Sequence, residues 1–70
     1  MKYLVVIEKA STGFSAYSPD VPGCVATGAS RAETEREMQA AIAFHLEGLR
    51  GHGGQVPQSS ASATYVEIPK

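Results

Sequence analysis

The pattern of hydrophobic and polar residues along the first 30 positions predicts three short strands. Residues 2–9 are rich in β-branched and aromatic side chains, which favour a strand. The polar residues 10–13 end in glycine, as hairpin loops do, and a second strand is predicted over residues 14–18. A turn region follows at residues 19–23, and the small residues 24–29 predict a third strand.

A single long helix is predicted over residues 31–50. Ser30 and Glu33 have the spacing of a capping box, in which the serine oxygen accepts from a first-turn N–H and the glutamate accepts from the N–H of Ser30. Gly51 is expected to be the C′ residue just beyond the helix. The apolar stripe expected to face the sheet recurs at helical spacing and comprises Met38, Ala41, Ile42, His45 and Leu49.

The end of the chain contains a loop rich in Gly, Gln and Ser at residues 52–62 and a β-rich segment at residues 63–68, which predicts a fourth strand. The fold class is therefore α+β with the order β-β-β-α-β. The first three strands form an antiparallel meander, and the helix returns the chain to a strand parallel to the third. A right-handed crossover places the fourth strand beside the first, which gives the spatial order 3-2-1-4 with one helix on one face.

The first strand is apolar on both faces, because Tyr3, Val5 and Ile7 alternate with Leu4 and Val6. One helix covers only one face of a sheet, and an uncovered apolar face marks a contact with another protein. The alternative, that the loop after the helix folds over this face, suits its polar composition poorly. A domain of 70 residues is also marginally stable alone, so we expect a homodimer or a tetramer.

The overall composition argues against several classes of function. Six Lys and Arg residues against seven Asp and Glu residues give a net charge of −1, which produces no broad attraction to nucleic acids or anionic membranes. No apolar run approaches the roughly 20 residues that span a bilayer, and no signal peptide is evident. We expect a soluble cytoplasmic protein with one domain over residues 1–70, no cofactor, and no direct binding to nucleic acid or membrane.

The lone cysteine, Cys24, follows a Pro22-Gly23 pair that has the composition of a type II turn. A reactive thiol needs a nearby cation, a helix N-terminus or a general base to lower its pKa. The nearest charged neighbour is instead the acid Asp20. Cys24 is therefore predicted to be a small buried residue after a structural turn, not a nucleophile.

Carboxylates offer one route to catalysis. Glu8 and Glu67 fall on strands that are predicted to be neighbours, and either Glu35 or Glu37 on the helix could approach the same sheet. Three carboxylates would hold a divalent cation for phosphodiester cleavage. Solvated charges at strand ends are the commoner case, so a metal-dependent nuclease is kept as an alternative, and no metal site is predicted.

Three stretches of the chain resemble the HicB family of antitoxins: Gly-Phe-Ser-Ala-Tyr-Ser-Pro-Asp-Val-Pro-Gly-Cys-Val-Ala-Thr-Gly at 13–28, the Ser-x-x-Glu that follows at 30–33, and Ala-Ile-Ala-Phe-His-Leu-Glu-Gly-Leu at 41–49. The resemblance covers nearly the whole chain. It implies half of a ribonuclease H fold, no catalytic activity, and binding to HicA, a small ribonuclease toxin whose catalytic histidine the antitoxin masks. Many members carry a C-terminal DNA-binding domain, which is not expected in these 70 residues, so repression of its own operon is not implied.

The leading hypothesis is thus a noncatalytic antitoxin that inhibits a HicA-like ribonuclease. The alternatives are the metal-dependent nuclease and a stand-alone protein that associates only with itself. The residues expected at a partner interface are Tyr3, Val5, Phe14, Tyr17, Asp20, Phe44 and Glu47.

Overall fold

A computed structural model describes all 70 residues and contains three strands followed by one helix. The elements are β1 (Val6–Lys9), β2 (Phe14–Tyr17), β3 (Val25–Gly28) and α1 (Arg31–Gly51). The strands form one antiparallel sheet in the order β1-β2-β3. The α+β class and the order of the first four elements are therefore confirmed.

The core lies between α1 and one face of the sheet. Ile7, Ala16 and Ala26 are paired across the three strands, and all three contact the core from the sheet side. Apolar side chains one helical turn apart cover them from α1, because positions i and i+4 share a helix face. The six buried apolar residues are Ala16, Val21, Cys24, Met38, Ile42 and Leu46.

Two hydrogen-bonded turns join β2 to β3 and bring Cys24 under the helix. The N–H of Val21 donates to the Ser18 carbonyl at 3.2 Å, and the N–H of Cys24 donates to the Val21 carbonyl at 3.3 Å. Gly23 has φ of 88°, the left-handed value that the third position of a type II turn requires. The ladder of β3 begins one residue after Cys24.

Side chains and backbone groups together satisfy the first N–H groups of α1. The N–H of Glu33 donates to the Ser30 hydroxyl at 3.1 Å, so Ser30 is the N-cap. The Glu33 carboxylate accepts from the N–H of Ala29 at 2.7 Å, one residue earlier than the capping box predicts. The result anchors the end of β3 to the start of the helix.

The helix ends one residue later than expected, and its C′ position lies two residues later. Gly51 is its last residue, His52 is the C-cap, and Gly53, with φ of 72°, occupies the left-handed C′ position. The N–H of Gly53 donates to the Arg50 carbonyl at 3.2 Å, and the N–H of Gly54 donates to the Leu49 carbonyl at 2.8 Å. These two bonds form a Schellman motif, so the assignment of Gly51 as C′ was wrong.

The predicted fourth strand is not formed. Residues 63–68 contain no strand, and the side chains of Tyr65, Val66 and Ile68 are exposed. The spatial order 3-2-1-4 and the half ribonuclease H arrangement are therefore absent from this structure. A strand needs a neighbour for its backbone groups, and this segment lies against none.

β1 is shorter than predicted for a related reason. Its ladder begins at Val6, which pairs with the last residue of β2, Tyr17. Residues 2–5 extend past the end of β2, and without a fourth strand they have no ladder partner on either side. A side chain replaces one such bond, because the Ser18 hydroxyl donates to the Leu4 carbonyl at 2.7 Å.

Candidate protein-binding site

The face of the sheet opposite the helix carries a row of apolar side chains. Val6, Tyr17 and Val25 are directly paired across β1, β2 and β3. Each neighbours a residue that points into the core, so all three point to the opposite face. The Val25 side chain is 70% exposed, and Tyr17 is exposed as well. This uncovered row agrees with the expectation of an apolar face that one helix cannot cover.

A second apolar surface lies where β3 meets the C-terminal half of the helix. There an open groove of about 560 Å³, here called the β3 groove, runs between Cys24 and Val25 on one side and Ala41, Phe44 and Leu49 on the other. Phe44 is 80% exposed although it is one of the largest apolar residues in the chain. An exposed aromatic beside an apolar groove is typical of protein interfaces.

Negative charge lies on the same side of the helix as Phe44. Glu47 follows it by three positions and Glu37 precedes it by seven, so both lie near the same helix face, and both are exposed. The β3 groove is therefore a largely apolar surface, lined also by His45 and His52, with the two acids on the exposed helix face beside it. This composition suits a partner that presents apolar side chains within a basic surface.

The structure does not bring all the predicted interface residues together. Tyr3 and Val5 are half-buried and pack against the core on the helix side. Phe14 is also half-buried, at the end of β2 where the chain turns back from β1. Tyr17, Phe44 and Glu47 are the ones that remain exposed.

Asp20 is engaged with its own chain. Its carboxylate accepts from the N–H of Ala61 at 2.8 Å, from the N–H of Ser60 at 2.9 Å and from the Ser60 hydroxyl at 3.1 Å. These bonds, that from Ala61 foremost, hold the pKa of the Asp20 carboxyl below its ordinary value of 3.8, although partial desolvation opposes them. The partners are 40 and 41 residues away along the chain, and no local sequence signal reveals them.

Cys24 lies at the floor of the β3 groove and is not poised for chemistry. Only 6% of the residue is exposed, and its thiol donates a long hydrogen bond of 3.9 Å to the Ala41 carbonyl. Burial raises the pKa of the Cys24 thiol, which disfavours the nucleophilic thiolate. The environment is that of a small apolar core residue.

The carboxylates considered for metal binding are not assembled. Glu67 belongs to the exposed C-terminal segment, so it does not lie on a strand beside Glu8. No three His, Cys, Asp or Glu side chains lie close enough together to hold a metal ion. The structure also contains no helix with the combination of length and apolar character that crossing a membrane requires.

Comparison with known proteins places this architecture in a family. Residues 3–70 match the family described as the HicB-like antitoxin of the bacterial toxin-antitoxin system. The chain belongs to the HicB-like antitoxins. The match covers nearly all of the chain, including the Pro22-Gly23 turn, the capped helix and the C-terminal segment.

Two relatives and one solved structure extend the comparison. This HicB-like chain is 34% identical over 70 residues to a 14.9 kDa protein in the rep-hol intergenic region of Haemophilus phage HP1, covering 100% of this chain and 53% of the phage protein. It therefore spans about half the length of that relative. The UPF0150 protein Ta0767 of Thermoplasma acidophilum is 32% identical over 62 residues, which are 87% of this chain and 90% of that protein.

The solved structure is a chain of the HicA3 and HicB3 toxin-antitoxin complex. It is 32% identical to this HicB-like chain, with a TM-score of 0.72 over 86% of this chain and 70% of that one. At this identity and overlap, the likeness extends beyond general fold class. A toxin-antitoxin complex is thus the assembly in which a similar chain has been solved.

Proposed function

We propose that this chain is a noncatalytic antitoxin that binds a HicA-like ribonuclease toxin and blocks its active site. The observation that carries the proposal is the likeness to a chain of the HicA3 and HicB3 complex, at 32% identity and a TM-score of 0.72. Membership of the HicB-like antitoxins supports the same assignment. The exposed apolar surfaces of the structure supply the means of contact.

The β3 groove is the toxin-binding surface in this proposal. Phe44 and Val25 both line the groove and are both exposed, so a partner that covers the groove contacts both residues. Complete burial of a Phe side chain stabilises a contact by about 1.5–3 kcal/mol. Aromatic residues near the centre of an interface often contribute most of its affinity. Phe44 is accordingly the expected anchor of the complex.

The acids beside Phe44 act mainly on the rate of association. A ribonuclease toxin binds an RNA backbone, so its active-site groove carries positive charge. Glu37 and Glu47 are exposed and face solvent, where salt screens their attraction within a Debye length of about 8–10 Å. Added salt is therefore expected to slow association while the apolar contact preserves most of the residence time.

The test compares two exposed aromatic residues. The test partner is a small basic protein encoded in a neighbouring gene, which is purified with its catalytic histidine replaced, and its Kd for this chain is measured by titration calorimetry. Phe44→Ala is expected to weaken binding about tenfold to a hundredfold, because each 1.4 kcal/mol of lost contact is tenfold in affinity. Tyr65→Ala is the matched control, since Tyr65 is also an exposed aromatic residue but lies on the C-terminal segment. Its Kd is expected to remain unchanged.

A functional assay complements the binding measurement. Co-expression with this chain should restore growth that the toxin arrests, and Phe44→Ala should restore it less well. The proposal fails if the intact chain neither binds the neighbouring protein nor protects RNA from it. If the purified chain itself cleaves RNA with Mg²⁺ or Mn²⁺, the noncatalytic assignment is wrong.

A further inference from the structure

The C-terminal segment projects from the domain and makes no tertiary hydrogen bond beyond residue 61. The last tertiary hydrogen bonds are those from Ser60 and Ala61 to Asp20, and every residue from 62 to 70 is exposed. The radius of gyration is 13.9 Å and the longest dimension is 51 Å. A compact chain of this length has a radius of gyration of about 11 Å. The segment therefore accounts for the elongated shape.

The projecting segment has the composition of a strand. Thr64, Val66 and Ile68 alternate with Tyr65 and Glu67, and β-branched residues occupy the first set. In an extended conformation, Val66 and Ile68 lie on one face and Tyr65 on the other. Their exposed fractions of 72% and 74% leave an apolar strand face in water.

A groove of matching character lies along the first strand. This β1 groove has a volume of about 740 Å³ and runs between residues 1–7 and the helix. Apolar side chains line its floor, among them Val5, Ile7, Ile42 and Leu46. β1 pairs with β2 alone, so the backbone groups along its other edge have no ladder partner. An open edge beside an apolar groove is the geometry that binds an added strand.

We infer that residues 63–68 of one copy fill the β1 groove of a second copy, in a dimer formed by reciprocal strand exchange. Val66 and Ile68 enter the groove while the backbone pairs with the free edge of β1. Each copy has both the segment and the groove, so a two-fold axis satisfies both at once. Lys2, Arg31 and Glu35 line the groove, so Glu67 of the incoming segment meets charges of both signs, and the apolar side chains carry the contact.

The exposed area is large enough for such a dimer. The accessible surface is 5594 Å². A compact monomer of 7.4 kDa exposes about 4,200 Å² by the usual scaling with mass. The excess of roughly 1,400 Å² per copy exceeds the approximately 800 Å² that each partner buries in a standard interface.

A second copy is favoured over the same chain because of where the segment leaves the domain. The Tyr3 hydroxyl donates to the Pro57 carbonyl, which holds the chain at the start of the first strand. The chain then crosses to Asp20 beyond the end of β2, where Ser60 and Ala61 are bound, and leaves from that point. Every residue from 62 to 70 is exposed, so the segment does not occupy the β1 groove of its own chain.

The first test measures the mass of the full chain by light scattering at micromolar concentration. We expect a dimer, and we expect Val66→Asp to raise the dimer Kd at least about tenfold, because the variant would bury a carboxylate in an apolar groove. Ser62→Asp is the control with the same added charge outside the segment, and its Kd should remain unchanged. A monomeric chain, or a dimer that Val66→Asp leaves intact, would overturn the inference.

The second test identifies which copy supplies the segment. One variant, Gln39→Cys, places a thiol in the lining of the β1 groove, and a second, affinity-tagged variant, Ile68→Cys, places a thiol on the segment. Equal amounts of the two variants are mixed and oxidised. We expect a disulfide-linked heterodimer that carries the affinity tag. The control mixtures, which are Ser11→Cys with Ile68→Cys and wild-type chains alone, should not form it. A double variant that forms only an intrachain disulfide would show that the segment returns to its own groove, and would refute exchange. Toxin binding is measured separately, and the inference does not depend on it.

Discussion

Met38 is the side chain whose removal tests the packing of the helix on the sheet. It lies on α1, is 0% exposed, and contacts a core of only six buried apolar residues. Replacing a buried Met with Ala removes apolar contacts and leaves a cavity, at a cost of about 2–5 kcal/mol. The total stability of a domain of this size is roughly 3.5–10 kcal/mol. Met38→Ala should therefore remove about a fifth or more of the free energy of unfolding.

Phe44→Ala is the matched comparison, because it truncates a larger apolar side chain on the same helix. Phe44 is 80% exposed, so its loss should change the free energy of unfolding by no more than about 0.5 kcal/mol. Urea titration followed by helical circular dichroism gives both values at one fixed protein concentration. Each kcal/mol lowers Tm by roughly 4–8 °C, so Met38→Ala should melt at least about 8 °C below the wild type. Equal destabilisation by the two variants would refute the assigned helix orientation.

Two further predictions concern side chains that the structure places in unusual surroundings. Burial raises the pKa of the Cys24 thiol, so Cys24 should react with a disulfide reagent at neutral pH far more slowly than an exposed Ser11→Cys thiol. It should react rapidly only when urea unfolds the chain. Fast reaction in the folded chain would contradict the burial of Cys24. Since the folded-state pKa of Asp20 is lowered, the bonds to Ser60 and Ala61 should persist above pH 3.8 and break as the pH falls through the lowered value. The NMR shifts of those two amides should report this midpoint, Asp20→Asn should abolish the transition, and a midpoint above 3.8 would refute the assignment.

The features that sequence predicted well are those determined within a few residues. The Pro22-Gly23 pair sets its own backbone angles, and Ser30 lies three residues from the N–H that it accepts. The order of three strands and a helix follows from periodicity in the same local way. At the helix end, three glycines within four residues could each have been the C′ residue. The Schellman hydrogen bonds place Gly53, and not Gly51, at that position.

The features that sequence missed depend on contacts between distant residues. Strand propensity at 63–68 was recognised, but propensity does not determine which edge, or which copy, the segment pairs with. Asp20 was assigned to a partner surface as an acid that could face a positively charged groove on the partner. Its actual partners are 40 and 41 residues away, so its assignment required the folded chain.

The two edges of the sheet differ in what they offer a second protein. The β1 edge combines unpaired backbone groups with an apolar groove, so it suits a strand. The β3 groove offers an exposed aromatic and acidic side chains on a rigid helix, so it suits a preformed basic surface. Because the two surfaces lie at opposite edges, the proposed exchange between copies would leave the proposed toxin-binding surface free. Binding at either edge stabilises the folded chain by mass action. This stabilisation matters because the core contains only six buried apolar residues.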